Sequence, residues 1–244
     1  MSLLLMILQL PVFPAWGQGQ GRADVVGFAI SRFEIFGNTK LTASEIAQVL
    51  RPYAGEEKTA EDVEKARTAL ERHYHQTGYP KVLVNIPEQT VEEGVVQLEV
   101  IESKIRRVRI TGNRFFTMES IREKLPSFQP GNVLYLPQIQ EELAELNSNP
   151  DIKVAPVLIP GTTVGSIDVE LQVKDRLPLH GSLELNNRSS HDTTDLRLNG
   201  LIRYDNLWQK EHSVSLQYQT SPEDTEEVSA IAASYVFPVP WKPE

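Results

Sequence analysis

Residues 33–50 read FEIFGNTKLTASEIAQVL, and residues 108–125 read VRITGNRFFTMESIREKL. Shifting the first stretch by 75 positions lays Gly37 on Gly112, Asn38 on Asn113, Thr42 on Thr117, Ile46 on Ile121 and Leu50 on Leu125. Each stretch runs from an alternating strand, through Gly-Asn, into an amphipathic helix. A repeat at that spacing means two copies of one small folded unit.

The first copy extends in both directions. Phe33 and Ile35 alternate with Glu34, in a β-rich segment that also holds Phe28, Ile30 and Phe36. Gly37-Asn38 supplies a turn with positive φ. Thr42 caps a helix, and Glu45 three residues on completes a capping box. Ile46, Val49 and Leu50 form its apolar stripe, and Pro52 and Gly55 end it. Thr59 and Asp62 open a second helix in the same way, with Val63, Ala66, Leu70 and Tyr74 as its stripe. Gly78 and Pro80 stop it. Strands follow over 81–86 (KVLVNI) and 95–102 (VVQLEVIE), the latter with Val96, Leu98 and Val100 on one face. The unit is β-α-α-β-β. His73 and His75 lie two apart on the helix, so they share no face and make a poor metal pair; a solvated helix end accounts for them better.

The second copy repeats the order. A strand over 105–111 leads through Gly112-Asn113 to a helix over 118–124, with Met118, Ile121 and Leu125 expected in the core. Pro137 suits the first turn of the next helix, whose stripe is Ile139, Leu143 and Leu146. The closing strands are 153–159 (KVAPVLI) and 166–174 (SIDVELQVK). Pro156 cannot donate to a ladder, so its strand is expected at an edge or a bulge. The matching strand of the first copy has no internal proline, and its edge is open in principle to an added strand. The opposite reading, an edge blocked by charged neighbours, stands about equal to it.

After Asp175 the pattern changes. Leu179, Gly181, Leu183 and Leu185 alternate with Ser182, Glu184 and Asn186. Three further alternating sets follow, through Leu198, Ile202 and Tyr204, through Val214, Leu216 and Tyr218, and through Ile231, Ala233, Tyr235 and Phe237. Strands that are apolar on one face and polar on the other are the signature of a transmembrane β-barrel. Tyr204, Trp208, Tyr218, Tyr235, Phe237 and Trp241 sit where an aromatic girdle belongs. A soluble sheet with one wet face is the competing account.

At the other end, residues 1–17 read as a secretory signal peptide, although no Lys or Arg precedes the apolar run. Residues 18–27 form a polar tether, whose Gly17, Gly19 and Gly21 are no phosphate loop because no strand precedes them and no helix follows.

Composition agrees with folded, non-nucleic-acid-binding protein. The chain is 40% hydrophobic and 23% charged, with a net charge of −9, which argues against nucleic acid as a partner. The basic side chains Lys104, Arg106, Arg107 and Arg109 cluster on one strand, read as a solvated edge, with a lipid-headgroup or neighbouring-domain contact as the alternative. The absence of cysteine excludes disulfides, thiolate zinc sites and cysteine nucleophiles.

Two β-α-α-β-β units with a Gly-Asn turn after strand one resemble polypeptide-transport-associated (POTRA) domains. That resemblance implies an α+β fold, two helices on a three-stranded sheet whose last strand is central. The order of signal peptide, two such units over 28–102 and 103–176, and amphipathic hairpins over 177–244 resembles the outer-membrane transporters of two-partner secretion, the hemolysin secretion and activation family. In that family the barrel has sixteen strands, so the chain reads as a fragment, a truncated gene model or the remnant of a disrupted gene.

The resemblance implies a periplasmic receptor attached to an outer-membrane barrel. Its partners would be an extended, hemolysin- or adhesin-like exoprotein and outer-membrane lipid, with no cofactor and no catalysis. The candidate contacts are Val82, Leu83, Val84, Asn85 and Ile86 on the edge strand, and Ala69, His73 and Gln76 on the helix beside it. An outer-membrane protein assembly factor with the same domain type is the alternative. A soluble enzyme is a third reading. Against it, there is no nucleophile elbow, no phosphate loop and no His/carboxylate metal spacing; Asp168 and Glu170 on one strand face are better read as solvated.

Overall fold

The computed structural model describes residues 27–189 and 191–239. The expected signal peptide, all but the last residue of the tether, and Trp241 lie outside them.

The first unit contains β1 (Phe28–Ile30), β2 (Arg32–Phe36), α1 (Ala43–Leu50), β3 (Gly55–Lys58), α2 (Ala60–Gln76), β4 (Val82–Asn85) and β5 (Val95–Glu102). Its sheet has the order β2-β5-β4, with β2 parallel and β4 antiparallel to the central β5. Both helices begin with the expected capping boxes, Thr42 with Glu45 and Thr59 with Asp62. Ile46 and Leu50 of α1 and Ala66, Leu70 and Tyr74 of α2 pack on Val82, Val84, Leu98 and Val100 of the sheet. Each such aliphatic side chain contributes about 1.5–3 kcal/mol on burial. The short β1–β3 pair was not expected. The GEEK segment of β3 is charged and mostly exposed, so no apolar alternation marks it.

The second unit repeats the architecture with β6 (Lys104–Thr111), α3 (Met118–Lys124), α4 (Leu136–Ser148), β7 (Ile152–Pro160) and β8 (Ser166–Asp175), in the order β6-β8-β7. Pro156 lies on the edge strand β7, opposite Leu171. One expected core residue is misplaced. Met118 is half-exposed, because the first residue of α3 points away from the sheet, while Ile121 and Leu125 are buried.

The third part is a four-stranded antiparallel sheet of β9 (Leu179–Asn186), β10 (Arg197–Leu207), β11 (His212–Thr220) and β12 (Ser229–Val236). Its register places apolar residues opposite one another across all four strands. Leu183 faces Gly200, which faces Tyr218, which faces Ile231; Gly181 faces Ile202, which faces Leu216, which faces Ala233. Leu183, Ile202, Leu216 and Ile231 are all more than half exposed, so this face has no cover among the described residues. The other face carries Ser182, Glu184, Asn199, Arg203, Ser215 and Gln217.

The parts are joined closely. One buried residue, Ser103, links β5 to β6. Leu136 N–H donates to Gly78 O (2.8 Å), and the rings of Tyr79 and Tyr135 lie 5.1 Å apart. A side chain at Gly78 would run into Tyr135 and Pro137.

Candidate functional site

The site begins with the turn that opened the sequence. Gly37 and Gly112 have φ of 78° and 88°, and a Cβ at either would collide with a main-chain oxygen of the central strand, Val100 O or Val173 O. Asn38 and Asn113 each donate from Nδ2 to the carbonyl three residues on, Leu41 O and Phe116 O, both at 2.9 Å. A carboxylate at the end of the closing strand then gathers the loop amides. Glu102 accepts from Thr39 N (2.6 Å) and Lys40 N (3.0 Å), and Asp175 from Arg114 N (2.8 Å), Phe115 N (2.7 Å) and Phe116 N (3.0 Å). This brace holds each sheet to its first helix; besides the parallel edge strands β2 and β6, each sheet ends on an antiparallel edge strand, β4 or β7.

Those edges are not bare. In an antiparallel pair, alternate residues turn both main-chain groups away from the partner. On β4 these are Val82 and Val84, and all four of their outward groups have partners. Val82 N–H donates to Tyr79 O (3.3 Å), and His75 Nε2 donates to Val82 O (2.9 Å). Val84 N–H donates to the Glu71 carboxylate (3.0 Å), and Arg67 Nη1 donates to Val84 O (3.3 Å) while pairing with Glu71 at 3.1 Å. On β7, Asn147 does the same work alone. Its Oδ1 accepts from Val154 N (2.7 Å) and its Nδ2 donates to Val154 O (3.0 Å). Pro156 and Pro160, on the same alternation, have no N–H to offer.

The outward groups of β4 are thus partnered within the first unit, three by α2 and one by Tyr79, as in the blocked-edge reading of the two that the sequence left about equal. The α2 side chains that close the edge are Arg67, Glu71 and His75. Ala69, His73 and Gln76 make no bond to β4 among the described residues. His73 instead lies near Glu45 of α1, whose carboxyl it helps to hold below its usual range, after the larger effect of the Thr42 hydroxyl. Val82 and Val84 direct their side chains into the core, Leu83 and Ile86 direct theirs outward, and Asn85 is exposed. Arg67, Glu71 and His75, at spacings of four along α2, mark a polar face of that helix, but their main-chain partners leave no trace in the residue pattern.

The basic strand is partly neutralised. Arg106 and Arg107 converge on Asp168 (2.6 Å and 3.0 Å), and the Arg106 guanidinium holds that carboxyl below the ordinary range. Asp168 is thus an ion-pair partner and no proton donor. Between the second unit and the sheet, Asp151, His180 and Asp205 come together, with ligand-type atoms within 4.8 Å of one another. His180 Nε2 lies 2.8 Å from Asp151 and 3.2 Å from Asp205. Arg176 and Arg203 already pair with the two carboxylates, at 2.7 Å and 2.9 Å, so the group is a charge-balanced bracket. Beside it, the 208–211 turn docks on α3, where Gln209 Oε1 accepts from Thr117 N (2.9 Å) and Glu211 pairs with Lys124 (2.7 Å).

Comparison with known proteins agrees with this architecture. The ShlB-type POTRA domain family matches residues 28–103. The outer membrane transporter CdiB of Dickeya dadantii is 29% identical over 135 residues, which are 55% of this chain and 24% of that protein. An Escherichia coli CdiB is 24% identical over 179 residues, 73% of this chain and 30% of its own length. The chain thus spans less than a third of the curated relatives it matches. Among solved structures, CdiB from Escherichia coli shares the fold with a TM-score of 0.69 at 22% identity, over 94% of this chain and 42% of that one. The described chain is α+β, with two POTRA-like sheets and their helices ahead of an antiparallel sheet. The family match covers residues 28–103, the first of the two units.

Proposed function

We propose that the chain is the periplasmic receptor and first barrel strands of an outer-membrane transporter of the two-partner secretion type. It captures an extended, hemolysin- or adhesin-like exoprotein and passes it to the barrel, by binding alone and without catalysis. The observation that carries this reading is the uncovered apolar face that runs in register across β9–β12, directly behind two POTRA-like units. A face of that kind is stable against lipid and costly in water. The polar side of the sheet would line the conduit.

On this reading the exoprotein meets the first unit at Val82, Leu83, Val84, Asn85 and Ile86, with Ala69, His73 and Gln76 as outlying contacts on α2. Leu83 and Ile86 offer the apolar side chains. Addition of a strand to β4 requires Glu71, Arg67 and His75 to release Val84 and Val82.

The test is secretion and fractionation in a bacterium that carries the gene in its natural setting. The protein is expected in the outer-membrane fraction, and disruption of the gene should halt release of one large exoprotein. Recovery of the protein in the soluble periplasm, with the secreted set unchanged, would sink the proposal. For the strand-addition step, Val84→Pro removes the outward N–H without touching the β5 ladder. Unchanged binding of an N-terminal exoprotein fragment by that variant would argue against it.

A further inference from the structure

We infer that the groove where β4 meets the end of β7 binds an extended, apolar polypeptide segment that carries carboxylates. This rests on the transporter reading and gives its receptor a chemical preference. The groove is ≈ 600 Å³ and lies on the joint between the units. Pro80, Lys81 and Leu83 form one wall, and Leu158, Ile159 and Val164 the other. Leu83, Leu158 and Ile159 are each more than a third exposed and Val164 is 83% exposed, so this apolar surface has no cover among the described residues.

Two physical features select the occupant. The first is main-chain accessibility. Three of the four outward groups on β4 are taken by α2 and the fourth by Tyr79, while on β7 Asn147 caps Val154, Pro156 and Pro160 have no N–H, and Leu158 is left with an outward N–H, so recognition here falls mainly to side chains in the groove. The Leu83, Ile159 and Val164 side chains suit a segment with apolar residues on one side. The second is charge. No Asp or Glu lines the groove, in a chain whose net charge is −9. Lys81 lines it, and Lys104 stands beside it, its amide donating to Gly165 O at 2.9 Å. Neither ammonium makes an ion pair among the described residues. Asp168, on β8, is paired with Arg106, whose Nη1 also donates to the groove residue Thr162 (3.2 Å). The groove therefore presents the unpaired Lys81 ammonium beside apolar surface, with no acid in its lining, and is complementary to a segment bearing Asp or Glu.

The joint is built to hold this shape. Gly165 has φ of 73°, and a Cβ there would press on the side chain of Ile101 in the first unit. Leu136 N–H is bonded to Gly78 O across the same interface.

The experiment uses the 244-residue chain in detergent micelles and two synthetic ten-residue peptides with Val or Leu at every second position and polar residues between them. The peptides differ only in carrying two Glu or two Lys at the polar positions, and binding is read by fluorescence anisotropy. The Glu peptide should bind about three- to tenfold tighter at low salt, as expected for two partly exposed ion pairs, and the gap should narrow at 0.5 M salt. Lys81→Glu with Lys104→Glu should abolish or reverse the order, and Val164→Ser should weaken both peptides. Circular dichroism checks that each variant is folded. Equal affinity for the two peptides, no binding of either, or an order unchanged in the double variant overturns the inference. An exoprotein fragment bound equally by the wild type and the double variant would remove the groove while leaving the transporter reading in place.

Discussion

Gly37 and Gly112 show how little freedom the repeated turn has. Each combines a left-handed φ with a main-chain oxygen at the place a Cβ would occupy. Gly37→Ala should therefore destabilise the first unit by at least about 2 kcal/mol, and Gly112→Ala the second by a similar amount, read as lower midpoints in urea unfolding. The glycines were legible because the repeat set them side by side. The carboxylates that brace the same turns, Glu102 and Asp175, were not, because they lie some sixty residues away along the chain and only the fold brings them back. Asp168 carries a pH prediction. Its carboxyl is held below the usual range by Arg106, so the charged form favours the folded state. That contribution is complete above the unfolded carboxylate pKa, near about 4, and is lost as pH falls through the lower folded value. Glu45 and Asp62, lowered by their bonds to Thr42 and Thr59, add in the same direction. Melting temperature should fall on acidification below about pH 4, and less steeply in Asp168→Asn. An equal slope in that variant would show that the Arg106 pair does not set it.

Elements were legible where period and capping coincide. The stripe Val63, Ala66, Leu70, Tyr74 placed α2 correctly because every member faces the core and Thr59–Asp62 fixes its start. Strand β3 escaped because it is charged and pairs only with the three-residue β1. The edge of β4 was half legible. Its position followed from the unit's resemblance, but its closure depends on α2 side chains whose partners are main-chain atoms, which no residue pattern records. Glu71→Ala tests that closure. It leaves Val84 N–H without its acceptor and Arg67 without its partner, and should lower stability by about 1–3 kcal/mol. Amide exchange at Val84 should quicken while exchange at Val100, on the central strand, stays slow. Unchanged exchange at Val84 would mean that water or another group replaces Glu71 at no cost, and that the edge is open to strands after all.

On the scale of the molecule, three parts are clamped in series, and the two clamps use different chemistry. The units meet through Ser103, the Gly78–Leu136 main-chain bond and the Tyr79–Tyr135 contact. The second unit meets the sheet through polar groups, the Asp151–His180–Asp205 bracket and the Gln209 turn on α3. Neither clamp was readable in advance, since each assembles residues from distant segments whose spacing carries no period. The sheet beyond them was readable, because its alternation has period two and survives intact in the register. What the alternation cannot decide is the solvent of the apolar face, and a paired substitution does. Leu216 and Gln217 are neighbours near the middle of β11, with side chains on opposite faces. If the Leu216 face meets hydrocarbon, Leu216→Arg should cost about 2–4 kcal/mol of folding into lipid vesicles. Gln217→Arg, on the polar face, should cost little. The measurement is the urea dependence of folding into vesicles, compared for the two variants. A wet sheet gives the reverse logic, since an arginine on an exposed apolar face is then tolerated or favourable in water. Equal tolerance of the two substitutions would therefore contradict a lipid-facing sheet and with it the transporter reading, whereas a large and one-sided penalty places the membrane against Leu183, Ile202, Leu216 and Ile231.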